Sequence, residues 1–175
     1  MRSFARVLLA AFAALTMLTG CGYHTLGAAT HLPPDMRMLA VPVFATRTDA
    51  YRTETVMTSA VIREFAARSR FRVTPTNSGS ADAVLHGTIL RETISPYTYN
   101  SSTQQSSSFL ITVIASVTLN ARDGRVLYKN DNYVFRQQYQ STTDLATFLQ
   151  EDPAAIDRMA RDFARQLVGD VLEGF

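Results

Sequence analysis

Between Ser107 and Asn120 the chain alternates with a period of two. Phe109, Ile111, Val113, Ala115, Val117 and Leu119 share one parity, while Thr112, Ser116, Thr118 and Asn120 fall on the other. Successive side chains of a strand point to opposite faces, so this pattern specifies a long strand with one dry face and one wetter face. A dry sheet face must be covered by a second layer. The chain is therefore expected to build a sheet with something apolar packed against one side of it.

The flanking segments supply the rest of that sheet. Ala83 to Tyr97 carries Leu85, Gly87 and Ile89 on one parity, and Val126 to Gln140 follows the central strand. Arg122-Asp123-Gly124-Arg125 lies between the last two, with Asp-Gly supplying the positive φ of a tight hairpin turn. Strands of this length would approach roughly 40–50 Å, longer than usual, so bends or bulges are expected. Met38 to Phe44 reads as a buried strand in which Pro42 marks an edge or bulge, because proline donates no ladder hydrogen bond. Phe71 to Thr74 is a short strand ended by Pro75, and Asn77 to Ser80 is a turn.

Two amphipathic helices provide the covering layer. Tyr51 to Ser69 places Met57, Val61 and Phe65 four apart, with Ile62 and Ala66 alongside. In the last segment Asp152 is read as the N-cap and Pro153 as the first helical residue. Ile156, Met159, Ala160, Phe163, Leu167 and Val171 then form the dry stripe, opposite Asp157, Arg158, Arg161, Asp162 and Arg165. The order is β-α-β-β-β-β-α. The expected class is α+β, a two-layer sandwich of a mostly antiparallel sheet with both helices on one face.

The N-terminus carries a different signal. Arg2 and Arg6 precede an apolar run from Val7 to Leu18, then Leu18-Thr19-Gly20-Cys21. The layout is that of a secretory signal, too short and wrongly flanked for a spanning helix. The last four residues resemble the lipobox of bacterial lipoproteins, in which cleavage falls between Gly20 and Cys21. Cys21 is the only cysteine, and lipidation would consume its thiol. The resemblance implies a covalent diacylglycerol and an N-acyl chain, such as palmitate, on Cys21. Residue 22 is Gly; the resemblance to proteobacterial lipoproteins, in which Asp there favours inner-membrane retention, implies the outer membrane. The expected division is a signal over 1–20, a lipidated tether over 21–37 with Pro33-Pro34, and a single domain over 38–175. Asn100-Ser101-Ser102 matches a glycosylation sequon that a bacterial lipoprotein would ignore.

Charge sets limits on partners. The whole chain has 17 Lys+Arg and 15 Asp+Glu, and its excess lies in Arg2 and Arg6. Past the signal the signs balance, so the basic footprint of a nucleic-acid binder is absent. His24, His31 and His86 make no cluster with metal-ligand spacing, and no phosphate loop, nucleophile elbow or dinucleotide fingerprint occurs. The sequence reads as non-enzymatic, with no metal and no other cofactor.

Several motifs occur in a telling order: the lipoprotein signal, Cys21-Gly22-Tyr23-His24, a short prolyl tether and Leu39-Ala40-Val41-Pro42-Val43-Phe44. Glu54 and Arg63-Glu64-Phe65 then lie in the first helix, and Ala81 to Ile89 reads Ala-Asp-Ala-Val-Leu-His-Gly-Thr-Ile. This ordered set resembles the LptE family of lipopolysaccharide-assembly lipoproteins over nearly the whole mature chain. The resemblance implies a lipid-anchored protein on the periplasmic side of the outer membrane. It would plug an LptD-type β-barrel, support its assembly, and take part in moving lipopolysaccharide to the surface. A barrel lumen is polar. The Ser/Thr/Gln/Tyr-rich segment from 97 to 108 suits it, which makes Tyr97, Tyr99, Asn100, Gln104 and Gln105 candidate barrel contacts. Lipid A phosphates call for arginine or lysine. Arg91, Arg122, Arg125, Lys129 and Arg136 lie on or between the long strands and are candidates for that contact, unless they serve only to protect strand edges. Two other classes stay open: an accessory lipoprotein of a different envelope secretion or transport complex, and a small periplasmic hydrolase. The first would differ in its partner, the second in having a concave site with convergent titratable groups.

Overall fold

The computed structural model describes residues 32–48, 52–77, 79–99, 106–140 and 145–174. Its elements run β1 Met38–Ala40, β2 Ala45–Thr46, α1 Thr53–Arg68, β3 Arg72–Thr74, β4 Ala83–Tyr99, β5 Ser106–Ala121, β6 Val126–Gln140 and α2 Leu145–Glu173. Two helices and a mixed, open six-stranded sheet make an α+β two-layer sandwich. The strand order is β3-β1-β4-β5-β6, with β2 also paired to β4. The long strands β4, β5 and β6 are antiparallel, whereas β1 runs parallel to both β3 and β4.

The alternation of β5 translates directly into burial. Ile111, Val113, Ala115, Val117 and Leu119 are sealed, and their opposite-parity neighbours are half-buried on the other face. In β4, Ala83, Leu85 and Ile89 face the same core. Its register slips between Ile89 and Arg91, so Glu92, Ile94 and Pro96 continue opposite Val113, Ile111 and Phe109. Further slips near the far end of β4 and twice along β5–β6 are the irregularities that such long strands call for. Gly124, at φ +86°, closes the β5–β6 turn, and its N–H donates to the carbonyl of Ala121 at 2.9 Å.

Pro42 does more than mark an edge. The expected strand from Met38 to Phe44 is divided, with β1 ending at Ala40 and β2 beginning at Ala45. Leu39 and Ala40 pair with Ala83 and Val84, whereas Ala45 and Thr46 pair with Thr88 and Ile89. One extra residue is therefore looped out on this side. Phe44, at the end of the loop, donates its N–H to Thr58 Oγ1 at 2.9 Å, and Thr58 donates to the carbonyl of Glu54 in α1 at 2.6 Å. The interruption is thus satisfied from two sides, since Val41 donates its N–H to the Thr74 carbonyl of β3 at 2.8 Å while Phe44 uses the helix side chain.

In α1, Met57, Val61 and Phe65 are fully buried as their spacing requires. Ala66 is exposed, and Thr53, Thr58 and Ala60 complete the stripe instead. The dry and wet faces expected for the second helix are found in α2, but its start is not. The helix begins at Leu145, eight residues before Pro153, so Asp152 is an interior residue and not the N-cap. Pro153 has no N–H for the carbonyl four residues back, and the helix accommodates that one missing bond. Leu, Ala, Gln and Glu upstream are strong helix formers that favour continuation.

One core joins these layers. Phe163 of α2 stands edge-on to Phe44, Tyr133 and Phe135, with ring centroids 6.1, 5.7 and 5.2 Å away. Tyr133 is buried on β6, and its hydroxyl donates to Asp170 Oδ2 at 2.7 Å and meets the Tyr128 hydroxyl. Burial, then the Tyr128 and Asp170 hydrogen bonds, hold this phenol protonated far above its ordinary range. Arg68 at the end of α1 reaches the Arg165 carbonyl and the Glu173 carboxylate, both at 3.2 Å, joining the C-terminal ends of the two helices. Leu32 and Met36, in the segment read as the end of the tether, are also part of the core.

Candidate functional site

The five basic residues singled out in the sequence separate into two places. Register puts Arg91 beside Ile114 and Val134, and Arg136 beside Thr112 and Thr93, on the sheet face that carries no helix. Both are exposed, and neither has an ion pair among the described residues. Strand spacing sets their Cα atoms about 12 Å apart, diagonally across β5. Lys129 shares this face two rows away, beside Thr118 and His86, but Asp131 holds its ammonium at 2.8 Å. The face also carries Val84, Thr88, Ser116 and Asn120, and Leu110 between Ser95 and Gln138, a mixture of hydroxyl, amide and aliphatic groups. Such a surface can meet an amphiphile bearing phosphates, or a polar wall.

Arg122 and Arg125 lie at the opposite end, on the β5–β6 turn. They help to line an open cleft of about 470 Å³ together with Pro33, Asp35, Met36, Asp82 and Asp123. Arg122 is engaged in structure: Nε donates to the Ala81 carbonyl at 3.0 Å, and one terminal nitrogen donates to the Ser80 carbonyl at 2.5 Å and to Asp82 Oδ1 at 3.3 Å. Arg125 lies 3.8 Å from Asp123. Three carboxylates therefore balance the two guanidiniums, and the cleft has no strong preference for an anion.

Asp82 is the hinge of this end, and sequence reasoning did not single it out. Its Oδ2 accepts the N–H groups of Arg37 and Met38, each at 2.9 Å, fixing the start of β1 from 44 residues away. Those two bonds, and then the charge of Arg122, hold its carboxyl below the usual aspartate range. A carboxylate with a lowered folded pKa stabilises the fold above its unfolded value and loses that contribution as pH falls through the folded one. Asp82→Asn is expected to cost about 1–2 kcal/mol at pH 7, discounted for a side chain about one-third exposed. The gap between the two chains should close below about pH 4. Urea melts at pH 7 and pH 3 measure it, and a gap independent of pH would assign the loss to shape rather than charge.

At the far end of the sheet the polar segment is more regular than the sequence suggested. β4 runs through Tyr97 to Tyr99, and β5 resumes at Ser106. Thr98 Oγ1 and Ser108 Oγ share a hydrogen bond at 2.6 Å, and Gln138 Nε2 donates to the same Ser108 oxygen at 3.2 Å. Hydroxyl and amide side chains thus make rungs that an apolar pattern would not reveal. Tyr97 is 58% exposed at the tip of this ladder. Asn100, Gln104 and Gln105 lie outside the described residues.

No set of three or more His, Cys, Asp or Glu side chains that could hold a metal occurs among the described residues. A family model described as LptE, lipopolysaccharide-assembly, matches residues 36–171. The chain belongs to the LptE family. The match covers all the elements placed above except the last residues of α2, and so includes the strands that make the open sheet face and the polar ladder. This LptE chain is accordingly a lipoprotein of lipopolysaccharide assembly, in a family of accessory proteins without enzymatic activity.

Similar folds occur among solved structures. Uncharacterized lipoprotein B of Nitrosomonas europaea is 12% identical, with a TM-score of 0.56 over 86% of this chain and 90% of its own. A minor lipoprotein of Acinetobacter baumannii is 14% identical, with a TM-score of 0.50 over 81% of this chain and 95% of its own. At such identities the likeness is one of fold. No curated protein matches the sequence.

Proposed function

We propose that this LptE protein lodges in an LptD-type outer-membrane β-barrel as its plug and assembly partner. Anchored through acyl chains on Cys21 at the periplasmic side, it would take part in delivering lipopolysaccharide to the outer leaflet. The observation that carries the reading is the family match over residues 36–171. The geometry supports it: the uncovered sheet face is polar in most rows, as a surface against a hydrated lumen should be. Tyr97 adds an exposed aromatic ring with a hydrogen-bonding tip, a favoured interface residue. The test is to extract the tagged lipoprotein from its own outer membranes in detergent and identify stoichiometric companions by mass spectrometry. A large barrel recovered at one to one is the expected result. Recovery of some other envelope complex without a barrel would overturn the reading.

Within that role, Arg91 and Arg136 are the better lipopolysaccharide contacts, because Arg122, Arg125 and Lys129 already face carboxylates or carbonyls. Replacing Arg91 and Arg136 together by Gln should weaken lipopolysaccharide binding about tenfold at low salt and much less at high salt. The Arg125→Gln, Lys129→Gln pair should change it little. Binding that is insensitive to the first pair would remove the open face from consideration.

A further inference from the structure

The two edges of the sheet are finished differently. β3 closes one with three residues, whereas β6 forms the other with fifteen. An edge strand presents unpaired N–H and C=O groups to any passing chain, and folds blunt such edges by shortness, bulges, proline or charge. The half of β6 next to the turn is blunted in this way. Its register slips twice, between Val126 and Tyr128 and between Asn130 and Tyr133. Asn132 gives its N–H to Asn130 Oδ1 at 2.9 Å, and Lys129 and Asp131 form an ion pair there.

From Tyr133 to Gln140 these devices stop. Eight consecutive residues pair with Ala115 back to Ser108 without a slip. The stretch contains no proline, and Arg136 is its one charged residue. Among the described residues no element pairs with β6 on its outer side. The Gln138 carbonyl takes a side-chain donor, Gln137 Nε2 at 3.0 Å. At about 3.4 Å per residue the regular edge is about 27 Å long, enough for a complete added strand.

We infer that the Tyr133–Gln140 edge receives an extended segment of another polypeptide as an added strand, with a carboxylate of that segment opposite Arg136. Charge decides between this occupant and a second copy of the chain. Tyr-Val-Phe-Arg-Gln-Gln-Tyr-Gln offers no acid. Self-pairing would leave both copies of Arg136 without a counter-charge, whereas an acidic foreign segment supplies one. Backbone bonds would give the affinity, and the outward row of Val134, Arg136 and Gln138 would give the selectivity. The inference holds whichever protein the chain assembles with, so it stands or falls apart from the barrel reading; a carboxylate at Arg136 would take the place of a lipid A phosphate there and leave Arg91 as the basic contact on the open face.

Amide exchange, followed by NMR on the full mature chain, tests it with three synthetic eight-residue probes. One is an alternating Thr/Val peptide with a central Glu, the second carries Lys in its place, and the third is the Glu peptide with two prolines. The Glu peptide is expected to slow exchange at alternate amides between Tyr133 and Gln140. The Lys peptide should bind about fivefold more weakly, as a cross-strand charge pair changes sign, and the proline peptide should have no effect. No slowing at millimolar Glu peptide, or slowing at other strands only, would refute strand addition. Equal binding by the Glu and Lys peptides would refute the carboxylate. Protection of the same amides in the free chain with rising concentration, together with a dimer in sedimentation, would make the occupant a second copy and overturn the assignment.

Discussion

Gly87→Val is expected to destabilise the fold by about 3 kcal/mol or more, although valine is the better strand former. The reason is the ring of Phe44. A Cβ placed on Gly87 would stand 2.5–2.6 Å from three of its ring carbons. Those atoms are not the loose end of a flexible chain. Phe44 is buried, its backbone is tied to Thr58, and its ring meets Phe163, which in turn touches Tyr133 and Phe135. Moving it disturbs the junction of β2, α2 and β6 at once. Strand propensity is worth at most about 1 kcal/mol in the other direction, so the clash wins. For a domain of this size the melting temperature should fall by about 6–12 °C. The cause can be isolated with a cycle. In a Phe44→Ala background, Gly87→Ala should cost at least about 1 kcal/mol less than it does alone. Equal costs in both backgrounds would mean that the ring is not what Gly87 accommodates.

Gly87 also shows where the sequence stops being readable. Its parity with Leu85 and Ile89 assigns it to the dry face, but nothing local says that a phenyl ring from 43 residues earlier fills the space above it. The same division recurs along the chain. The alternation of β5, the Asp-Gly turn and the i, i+4 stripe of α1 are local patterns, and the structure keeps them. Strand order is not local. The placement of β1 between β3 and β4, parallel to both, is fixed by contacts such as Asp82 with the N–H groups of Arg37 and Met38, which no periodicity encodes. Proline misled in one place and informed in another. Pro42 does interrupt its strand, because a ladder needs the N–H it lacks. Pro153 reads as a helix start, yet a long helix tolerates one missing bond when the residues before it favour continuation.

The candidate site has the same character. That basic residues sit on the long strands is visible in the sequence; that Arg122 is bound to carbonyls while Arg91 and Arg136 stand on an uncovered face depends on register and on a bulge at Leu90. Without that bulge Arg91 would turn toward the helices and Glu92 toward the open face. The sign of the charge on the exposed face is thus set by one inserted residue.

The largest expected effect belongs to Cys21. With residues 1–20 exchanged for a cleavable secretory leader, the Cys21→Ser chain should lose all incorporation of labelled palmitate and leave the membrane in a salt and urea wash. The natural precursor should retain both label and attachment. The energetics leave little middle ground. Each buried methylene contributes about 0.8 kcal/mol, so one acyl chain holds only marginally, while two or three anchor the chain stably. No described helix is long and apolar enough to cross a membrane, so none of them substitutes for an anchor. The wash matters because a chain seated in a barrel could stay with the membrane through protein contacts, which urea removes and acyl chains survive. Attachment that persists in the serine chain after urea would refute lipidation as the anchor. Release of both chains alike would show that the Leu18-Thr19-Gly20-Cys21 run is not processed as a lipobox. If only the serine chain is released, the acyl chains hold the domain at the leaflet, and the strand edge and the open face are left free to engage partners.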